Sequence, residues 1–242
     1  DAQIGEGETG SFSFRAAESF SLDQLEEAAQ AINEAQRPLM LIGHGVTIAG
    51  AEQRVIRLAE RSGMPVAWTL HAVSAFPSDH PLSAGMLGMH GNYAPNKLTN
   101  EADLILAVGM RFDDRVTGKL AQYATQARII HIDIDASEFS KNVPAMIKLR
   151  ADADVALKAL LPLLSEQSHP EWLSRFRAFD ELEHEKVIRR DIAPESGGLR
   201  MGEVVAKLSR EVEGDALVVT DVGQHQMVAA RYFRFSKRNS FI

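Results

Sequence analysis

Apolar residues in this chain form several short continuous runs, and helical patterns lie between some of them. Four runs cover positions 38–42, 66–69, 104–108 and 128–135, and a further short strand is predicted over 146–149. Runs without polar alternation are typical of strands that are buried on both faces of a parallel sheet. We therefore predict an α/β fold: a doubly wound, mostly parallel sheet flanked by helices, with right-handed crossovers.

The helices are predicted from their periodicity and from their first residues. Ser21-Leu22-Asp23-Gln24 has the pattern of a capping box, in which the Ser hydroxyl and the Gln side chain each bind a free backbone N–H. Apolar residues follow at three- and four-residue spacing, as in a helix that packs on a core. The other predicted helices cover residues 49–61, 152–164, 171–190, 200–212 and 223–233, and a strand is predicted over 216–220.

These elements divide the chain into four predicted parts. Residues 1–20, rich in Gly, Ser and Glu, have the composition of a linker, and residues 21–165 form the main α/β domain. Residues 166–198 hold a charged helix that we interpret as a connector. Residues 199–242 begin a second α/β unit that is too small to bury a core alone, so it is either truncated or packed on the first domain. Because the chain starts with Asp1 and not Met, we expect it not to begin at the start of a natural gene product.

Composition narrows the classes of partner. The 242 residues include 33 acidic and 26 basic side chains, and this net charge of −7 argues against a nucleic-acid partner, because phosphate binding needs a basic face. The absence of cysteine excludes disulfides and Cys-ligated zinc and fits a reducing compartment. No apolar run approaches the roughly 20 residues that cross a membrane, and the acidic, Gly-rich start is not a signal peptide.

Candidate chemistry lies after the strands, because open parallel sheets bind ligands beyond the carboxyl ends of their strands. Gly43-His44-Gly45 follows the first run and is an incomplete GxGxxG fingerprint, since Ile48 holds the third glycine position; a tight turn is an equal alternative. In Thr69-Leu70-His71, after the second run, a lone His is more often structural. The loop over 85–91 has three glycines and two methionines, which suits a planar ligand or an ordinary buried turn.

Charged side chains follow the later strands. Arg111 and Arg115 can grip phosphates through paired N–H donors, or can form a surface salt-bridge cluster with the interleaved acids. Asp133 and Asp135 can accept hydrogen bonds from ribose or ribityl hydroxyls, or can cap the next helix. Asp221-Val222-Gly223 suits a diphosphate, or is a plain N-capped helix start.

The remaining patterns exclude several chemistries. The eight histidines and the Asp133–Asp135 pair show no metal-ligand spacing, and neither a P-loop nor a GxSxG motif is present. The residues alone therefore indicate a nucleotide-like cofactor without choosing one.

Three strings together are more specific than any single loop. They are MLGMHGNYAPNKLTNEADLILAVGMRFDDRVTGKL from Met86, IIHIDID from Ile129 and VVTDVGQHQM from Val218. In order and spacing the chain resembles, from about Arg37 to Tyr232, the large subunits of biosynthetic acetohydroxyacid (acetolactate) synthases. The resemblance implies a Rossmann-like, FAD-binding middle domain and the opening of a thiamine-diphosphate domain, from an enzyme that joins two 2-ketoacids with loss of carbon dioxide. The cofactors it implies are FAD, thiamine diphosphate and Mg²⁺, the last two only in the full-length enzyme.

The resemblance also implies which residues bind the cofactors. Those expected at FAD are Gly43, His44, Gly45, Thr69, Leu70, Leu87, Gly88, Met89, His90, Gly91, Gly109, Arg111, Asp113, Arg115, Val116, Asp133, Ile134, Asp135 and Asp152. Those expected at thiamine diphosphate are Val222, Gly223, Gln224 and His225. The chain departs from the family at His44 and Ala151, where the family more often has glycine.

Other implications concern the whole enzyme. The family's activating glutamate lies in a preceding domain and its magnesium motif lies after Ile242, so we expect no catalytic residue, no metal ligand and no carboligation by this chain alone. The resemblance implies a homodimer or homotetramer in the bacterial cytoplasm, 2-ketoacid substrates and a possible small regulatory subunit, with neither a membrane nor a nucleic-acid partner. The alternatives are another thiamine-diphosphate carboligase or oxidase, such as glyoxylate carboligase, sulfoacetaldehyde acetyltransferase or pyruvate oxidase, and a non-catalytic nucleotide-binding module. The incomplete glycine fingerprint disfavours a nicotinamide dehydrogenase.

Overall fold

A computed structural model describes residues 19–242, so the predicted linker lies outside the described residues except for its last two positions. Six strands form one sheet in which every neighbouring pair is parallel, and this confirms the predicted α/β fold. The strands are β1 (Pro38–Ile42), β2 (Val66–Trp68), β3 (Ser83–Met86), β4 (Leu104–Val108), β5 (Arg128–Asp133) and β6 (Ile147–Arg150). Their order is β3-β2-β1-β4-β5-β6, so the winding direction reverses between β1 and β4.

Ten α-helical segments are found in residues 19–242. They are α1 (Leu22–Glu34), α2 (His44–Ile48), α3 (Glu52–Ser62), α4 (Tyr93–Leu98), α5 (Asp114–Thr117), α6 (Ala153–Leu160), α7 (Pro170–Glu183), α8 (Arg189–Ile192), α9 (Met201–Glu211) and α10 (Gln224–Tyr232). The predicted capping box is present at α1. The Ser21 hydroxyl accepts from the Gln24 backbone N–H at 3.2 Å, and the Gln24 side chain accepts from the Ser21 N–H at 2.9 Å.

Both faces of the sheet are buried, as its continuous apolar strands require. In β1 the side chains of Met40 and Ile42 enter one core layer, and those of Leu39 and Leu41 enter the other. Helices α1, α3 and α6 cover the first layer, and α4 and α7 cover the second. Because each buried Leu or Ile contributes about 1.5–3 kcal/mol, the two layers fix the sheet that positions the loops above it.

Helix α7 belongs to the predicted connector and packs into the second layer. Its Trp172 and Phe176 are buried there, and the Trp172 Nε1–H donates to the Pro38 carbonyl at 2.8 Å. Arg177 donates to the Ser83 carbonyl at 3.1 Å and so covers part of the edge strand β3. Beyond Glu183 the helix continues through one π-helical turn, His184–Ile188, into α8.

Several predicted elements differ from the structure. β3 was not predicted, and Gly85 and Met86 lie in this strand although the sequence indicated a loop. The predicted helix over 49–61 begins at Glu52, because Gly50 adopts a left-handed φ of +64° after the short helix α2. β5 ends at Asp133, whose side chain accepts the backbone N–H of Asp135 at 2.9 Å and turns the chain.

The segment 199–242 packs on the sheet-bearing part of the chain. Ala230, Phe233 and Phe235 are buried in the first core layer. The strand predicted over 216–220 does not form; among the described residues it contributes one isolated parallel bridge, Val218 to Phe241. In the described part of the chain, the backbone partner of this segment is the short stretch Ser240–Ile242, which bonds Val218 and Thr220 but does not form a ladder. Within residues 19–242, no helix combines the length and the apolar character needed to span a bilayer.

Candidate functional site

The floor of the site is the contact between the turns that follow β1 and β4. The Gly43 N–H donates to the Val108 carbonyl at 3.0 Å, and the Gly45 N–H donates to the Gly109 carbonyl at 2.9 Å. A Cβ added at Gly45 would lie 2.6 Å from the Gly109 Cα, so only glycine allows this approach. The turns meet where the strand order reverses, which is where doubly wound sheets open a crevice.

The incomplete fingerprint has a structural explanation at its third position. In GxGxxG turns the third glycine lets the following helix pack closely on the strand. Here Ile48 is 75% exposed at the end of α2, so its side chain points away from the sheet. The two glycines that the floor requires are present, and the third position has no close contact to make.

A cavity of about 680 Å³ lies above this floor. Its volume is within the range of small-molecule and cofactor sites, about 300–1,000 Å³. Turns after β1, β2, β3 and β4 line it, together with the start of the C-terminal segment's last helix. The residues predicted from sequence that line it are His44, Thr69, Leu70, Leu87, Gly88, Met89, His90, Gly109, Arg111, Asp113, Arg115, Val116 and Val222.

The loop over residues 87–91, here called the cavity loop, has a defined backbone. Gly88 has φ +100°, and its N–H and carbonyl both bind the Asn96 side chain at 2.8 Å. The Met89 N–H donates to the Arg115 carbonyl at 2.8 Å. Gly91 lies behind the lining, because a Cβ there would be 2.3 Å from the Met86 carbonyl oxygen. The cavity loop therefore presents its backbone to the cavity in one conformation.

The turn after β4 supplies the charged side of the cavity. The side chains of Arg111 and Arg115 are 70% and 71% exposed, and their nearest acids, Asp113 and Asp114, lie 3.6 and 4.0 Å away. Exposed pairs at these distances contribute about 0–1 kcal/mol, so both guanidinium groups remain available to an anion. One buried oxygen of Asp113, Oδ1, has no hydrogen-bond partner among the described residues. A ligand hydroxyl would satisfy it, and an unsatisfied buried acceptor costs about 1–3 kcal/mol.

The acids after β5 and β6 act as local caps. Asp135 accepts the Ser137 N–H, and Asp152 accepts the Asp154 N–H, both at 2.9 Å. Burial raises the pKa of Asp133, whereas the hydrogen bonds from Ser137 lower the pKa of Asp135. Neither these acids nor the exposed Ile134 line the cavity, although they lie along the same sheet edge. Ser137 binds Asp135 through both its backbone N–H and its side chain, whereas Asp152 accepts a backbone N–H through Oδ1.

Beneath the turn after β4 lies a buried histidine that the sequence prediction missed. The His131 Nε2–H donates to the Met110 carbonyl at 2.9 Å, between the rings of Phe112 and Phe139. Burial lowers the pKa of His131 below its ordinary value of 6.5, so the ring is neutral near pH 7. It holds the Met110 carbonyl and therefore the direction of the next residue, Arg111. In the string IIHIDID, a polar side chain inside a buried strand was the available signal.

The last helix closes one side of the cavity. Gln226 and Met227 of α10 line it, together with His71 and Met110, and none of these four was predicted to bind a cofactor. Gly223, Gln224 and His225 lie at the start of α10 and do not line the cavity. Asp221 binds the Val222 N–H at 2.7 Å and does not cap α10, whose N-cap is Gly223. In the described part of the chain, no group of three or more His, Cys, Asp or Glu could hold a metal ion.

Comparison with known proteins gives consistent results. The family model "Thiamine pyrophosphate enzyme, central domain" matches residues 25–160. The chain is 39% identical over 224 residues to a probable acetolactate synthase large subunit of Methanocaldococcus jannaschii, and 38% identical over 223 residues to the acetolactate synthase isozyme 3 large subunit of Escherichia coli. It is also 36% identical over 226 residues to the chloroplastic acetolactate synthase 2 of Zea mays. These alignments cover 90% of this chain but only 34–38% of the relatives, so the chain spans less than two fifths of their length.

Proposed function

Because the chain belongs to the thiamine pyrophosphate enzymes, whose central domain it contains, we propose that it is the flavin-binding part of an acetolactate synthase large subunit. The full-length protein would condense two pyruvates to 2-acetolactate, or pyruvate with 2-ketobutyrate to 2-aceto-2-hydroxybutyrate, each with loss of carbon dioxide. This reaction begins the synthesis of the branched-chain amino acids. Within that enzyme, this chain would contribute a cofactor site and no catalytic residue.

The cavity at the strand-order reversal carries the proposal. It is large enough for the flavin end of FAD, at about 680 Å³, and its glycine floor lets a ligand approach the backbone. Arg111 and Arg115 supply donors for the diphosphate. The orphaned Oδ1 of Asp113 supplies an acceptor for a ribityl hydroxyl. The acids after β5 and β6, Asp135 and Asp152, lie further along the same edge, where the adenosine half would extend.

The apolar lining residues have a separate role in this proposal. Leu87, Met110 and Met227 would exclude water from the ring face, and the cavity-loop backbone would orient the ring. FAD performs no net redox step in the proposed reaction. Thiamine diphosphate, when bound, supplies the carbanion chemistry, and Val222, Gly223, Gln224 and His225 would contact its diphosphate end.

Other features of the whole enzyme also belong to the proposal. The relatives from Methanocaldococcus jannaschii and Escherichia coli are large subunits, which supports a small regulatory subunit as a partner. We further propose a homodimer or homotetramer in the bacterial cytoplasm, which uses Mg²⁺ to hold thiamine diphosphate.

Flavin retention tests the proposed site directly. The purified chain is mixed with FAD, the excess is removed by gel filtration, and the visible flavin absorbance of the protein peak is measured. Retention of FAD in preference to NAD⁺ and ATP is expected. Retention of ATP or NAD⁺ without FAD would support the alternative of a general nucleotide-binding module, and retention of no nucleotide would refute the site.

Two activity measurements complete the test. The chain supplied with FAD, thiamine diphosphate, Mg²⁺ and pyruvate should form no acetolactate, and product above the background would contradict its assignment as a part of the enzyme. The full-length protein should use pyruvate and 2-ketobutyrate as acceptors. A preference for glyoxylate or sulfoacetaldehyde would instead support another carboligase of the same family.

A further inference from the structure

Glu183 is a buried carboxylate at the end of α7 that does not line the cofactor cavity. The residue is 8% exposed, and its oxygens bind three residues from two other parts of the chain. Oε2 accepts the Tyr93 backbone N–H at 3.0 Å and the Asn92 side-chain N–H at 3.3 Å. Oε1 forms an ion pair with Arg231 of α10. A buried charge is costly unless it is paired and hydrogen-bonded, so these partners account for its position.

The partners of Glu183 hold the two ends of the cavity loop. At the start of the loop, the Asn92 side-chain oxygen accepts the Met86 N–H at 3.0 Å, and the Asn92 N–H donates to the Met86 carbonyl at 2.6 Å. At the end of the loop, Arg231 donates to the Gly91 carbonyl at 3.0 Å. Glu183 therefore binds both Asn92 and Arg231, the side chains that close the loop.

The same ion pair joins two walls of the cavity. Arg231 lies on α10, and one helical turn earlier that helix places Met227 and Gln226 against the cavity. The other wall is the cavity loop, which contributes Leu87 to His90. Arg231 is largely buried, with 18% of its side chain exposed, so solvent screens this pair less than the surface pairs.

We propose that Glu183 is a positioning residue for the cofactor site: it fixes the cavity loop and ties it, through Arg231, to α10. The predicted effect of Glu183 on FAD binding rests on the proposed flavin site, whereas its predicted effect on the conformation of the cavity loop does not. Loss of the carboxylate would leave Arg231 without its counter-ion and would release the Asn92 side chain and the Tyr93 N–H. The cavity loop would then sample other conformations, and binding would have to select one of them.

The test compares Glu183→Gln and Glu183→Ala with a matched control, Glu181→Gln. Glu181 is exposed on the same helix, and no side-chain hydrogen bond or ion pair involves it in the described part of the chain. Fluorescence titration should show an FAD Kd about tenfold higher for Glu183→Ala, which corresponds to about 1.4 kcal/mol. Glu183→Gln keeps an acceptor and should give about a threefold increase, because a neutral hydrogen bond is weaker than a charged one. The control should match the unmodified chain.

Two further measurements separate positioning from general stability. The visible circular dichroism of bound FAD should change in Glu183→Gln, because the ring environment changes, and should not change in Glu181→Gln. Amide hydrogen exchange over residues 87–93 should accelerate in Glu183→Gln while exchange in β4 stays the same. Should Glu183→Ala not fold, the Gln variant alone decides the outcome. Unchanged loop exchange in Glu183→Gln would overturn the inference, whatever its Kd.

The outcomes also separate this inference from the proposed function. If the unmodified chain does not retain FAD, the flavin assignment fails, and loop exchange in Glu183→Gln still decides whether Glu183 holds the loop. If the unmodified chain binds FAD but the cavity loop of Glu183→Gln exchanges at the same rate as in Glu181→Gln, the positioning inference fails and the flavin assignment stands. Arg231→Gln should weaken FAD binding as Glu183→Gln does, and the double variant should be no weaker than either single variant, because the two side chains act as a unit.

Discussion

Substitution of Gly45 by alanine tests the close approach that forms the floor of the cavity. The new Cβ would lie 2.6 Å from the Gly109 Cα and 3.0 Å from its carbonyl oxygen. Carbon atoms pack at about 3.5–4.0 Å, so the turns after β1 and β4 would have to separate by about 1 Å. Such overpacking costs about 1–3 kcal/mol. The separation would also weaken the Gly45 N–H bond to the Gly109 carbonyl, 2.9 Å long, which contributes about 1 kcal/mol.

The expected loss of stability is therefore about 2–4 kcal/mol, or about 4–16 °C in Tm for a chain of this size. Thermal unfolding followed by circular dichroism measures it, with no ligand present. Gly198→Ala is the control, since its added Cβ has no atom within 4 Å, and its Tm should not fall. A Tm for Gly45→Ala equal to that of the unmodified chain would show that the turns are not in contact, and the reasoning about the floor would fail.

Three further predictions concern charge, protonation and packing. Arg115→Gln should raise the FAD Kd about tenfold or more, because a charged hydrogen bond contributes about 1.5–3 kcal/mol. Its Tm should not change, because the Arg115 guanidinium is 71% exposed. Lys119→Gln is the control, and equal Kd values for the two variants would contradict the role of Arg115 in binding the diphosphate. Burial lowers the pKa of His131 in the folded chain. As the pH falls, the unfolded chain therefore binds a proton at this side chain before the folded chain does. Stability that is present above the unfolded pKa of about 6.5 should be lost as the pH falls through the folded pKa. Urea unfolding at several pH values should show that the free energy of unfolding falls less with decreasing pH in His131→Gln than in the unmodified chain, and an equal fall would refute this prediction. Phe176→Ala should lower the free energy of unfolding by about 3–5 kcal/mol, measured by urea unfolding, because the side chain is fully buried in the second core layer. Phe179→Ala removes a half-buried ring and should lower it less. Equal losses in the two variants would contradict the packing.

The sequence was most informative where a single physical requirement dominates. A continuous apolar run is required when both faces of a strand are buried, so β1 and β4 were predicted to the residue. The capping box at Ser21 satisfies free N–H groups locally, so it also needed no tertiary information. The glycines at positions 43, 45 and 109 could be assigned to strand-end turns because they follow directly after these two apolar runs.

Other parts of the structure depend on contacts that the sequence does not display. β3 contains Ser83 and Gly85 and has no apolar pattern, and it forms because β2 offers it an unpaired edge. The segment 216–220 has the residues of a strand, but within residues 19–242 it pairs by one isolated bridge to Phe241. Asp135 could be a cap or a ligand, and both roles use the same carboxylate. Met227 reaches the cavity from a segment more than a hundred positions beyond the turn after β4, a proximity that only the packing of α10 creates.

The burial of α7 bears on how this protein can be divided. The family match ends at residue 160, which would suggest a boundary before Pro170. A truncation there would remove Trp172 and Phe176 from the second layer and Arg177 from the edge of β3. It would expose an apolar sheet face beside unpaired strand carbonyls, a combination that promotes aggregation. We therefore expect the smallest autonomous folding unit to include α7, beyond the end of the family match.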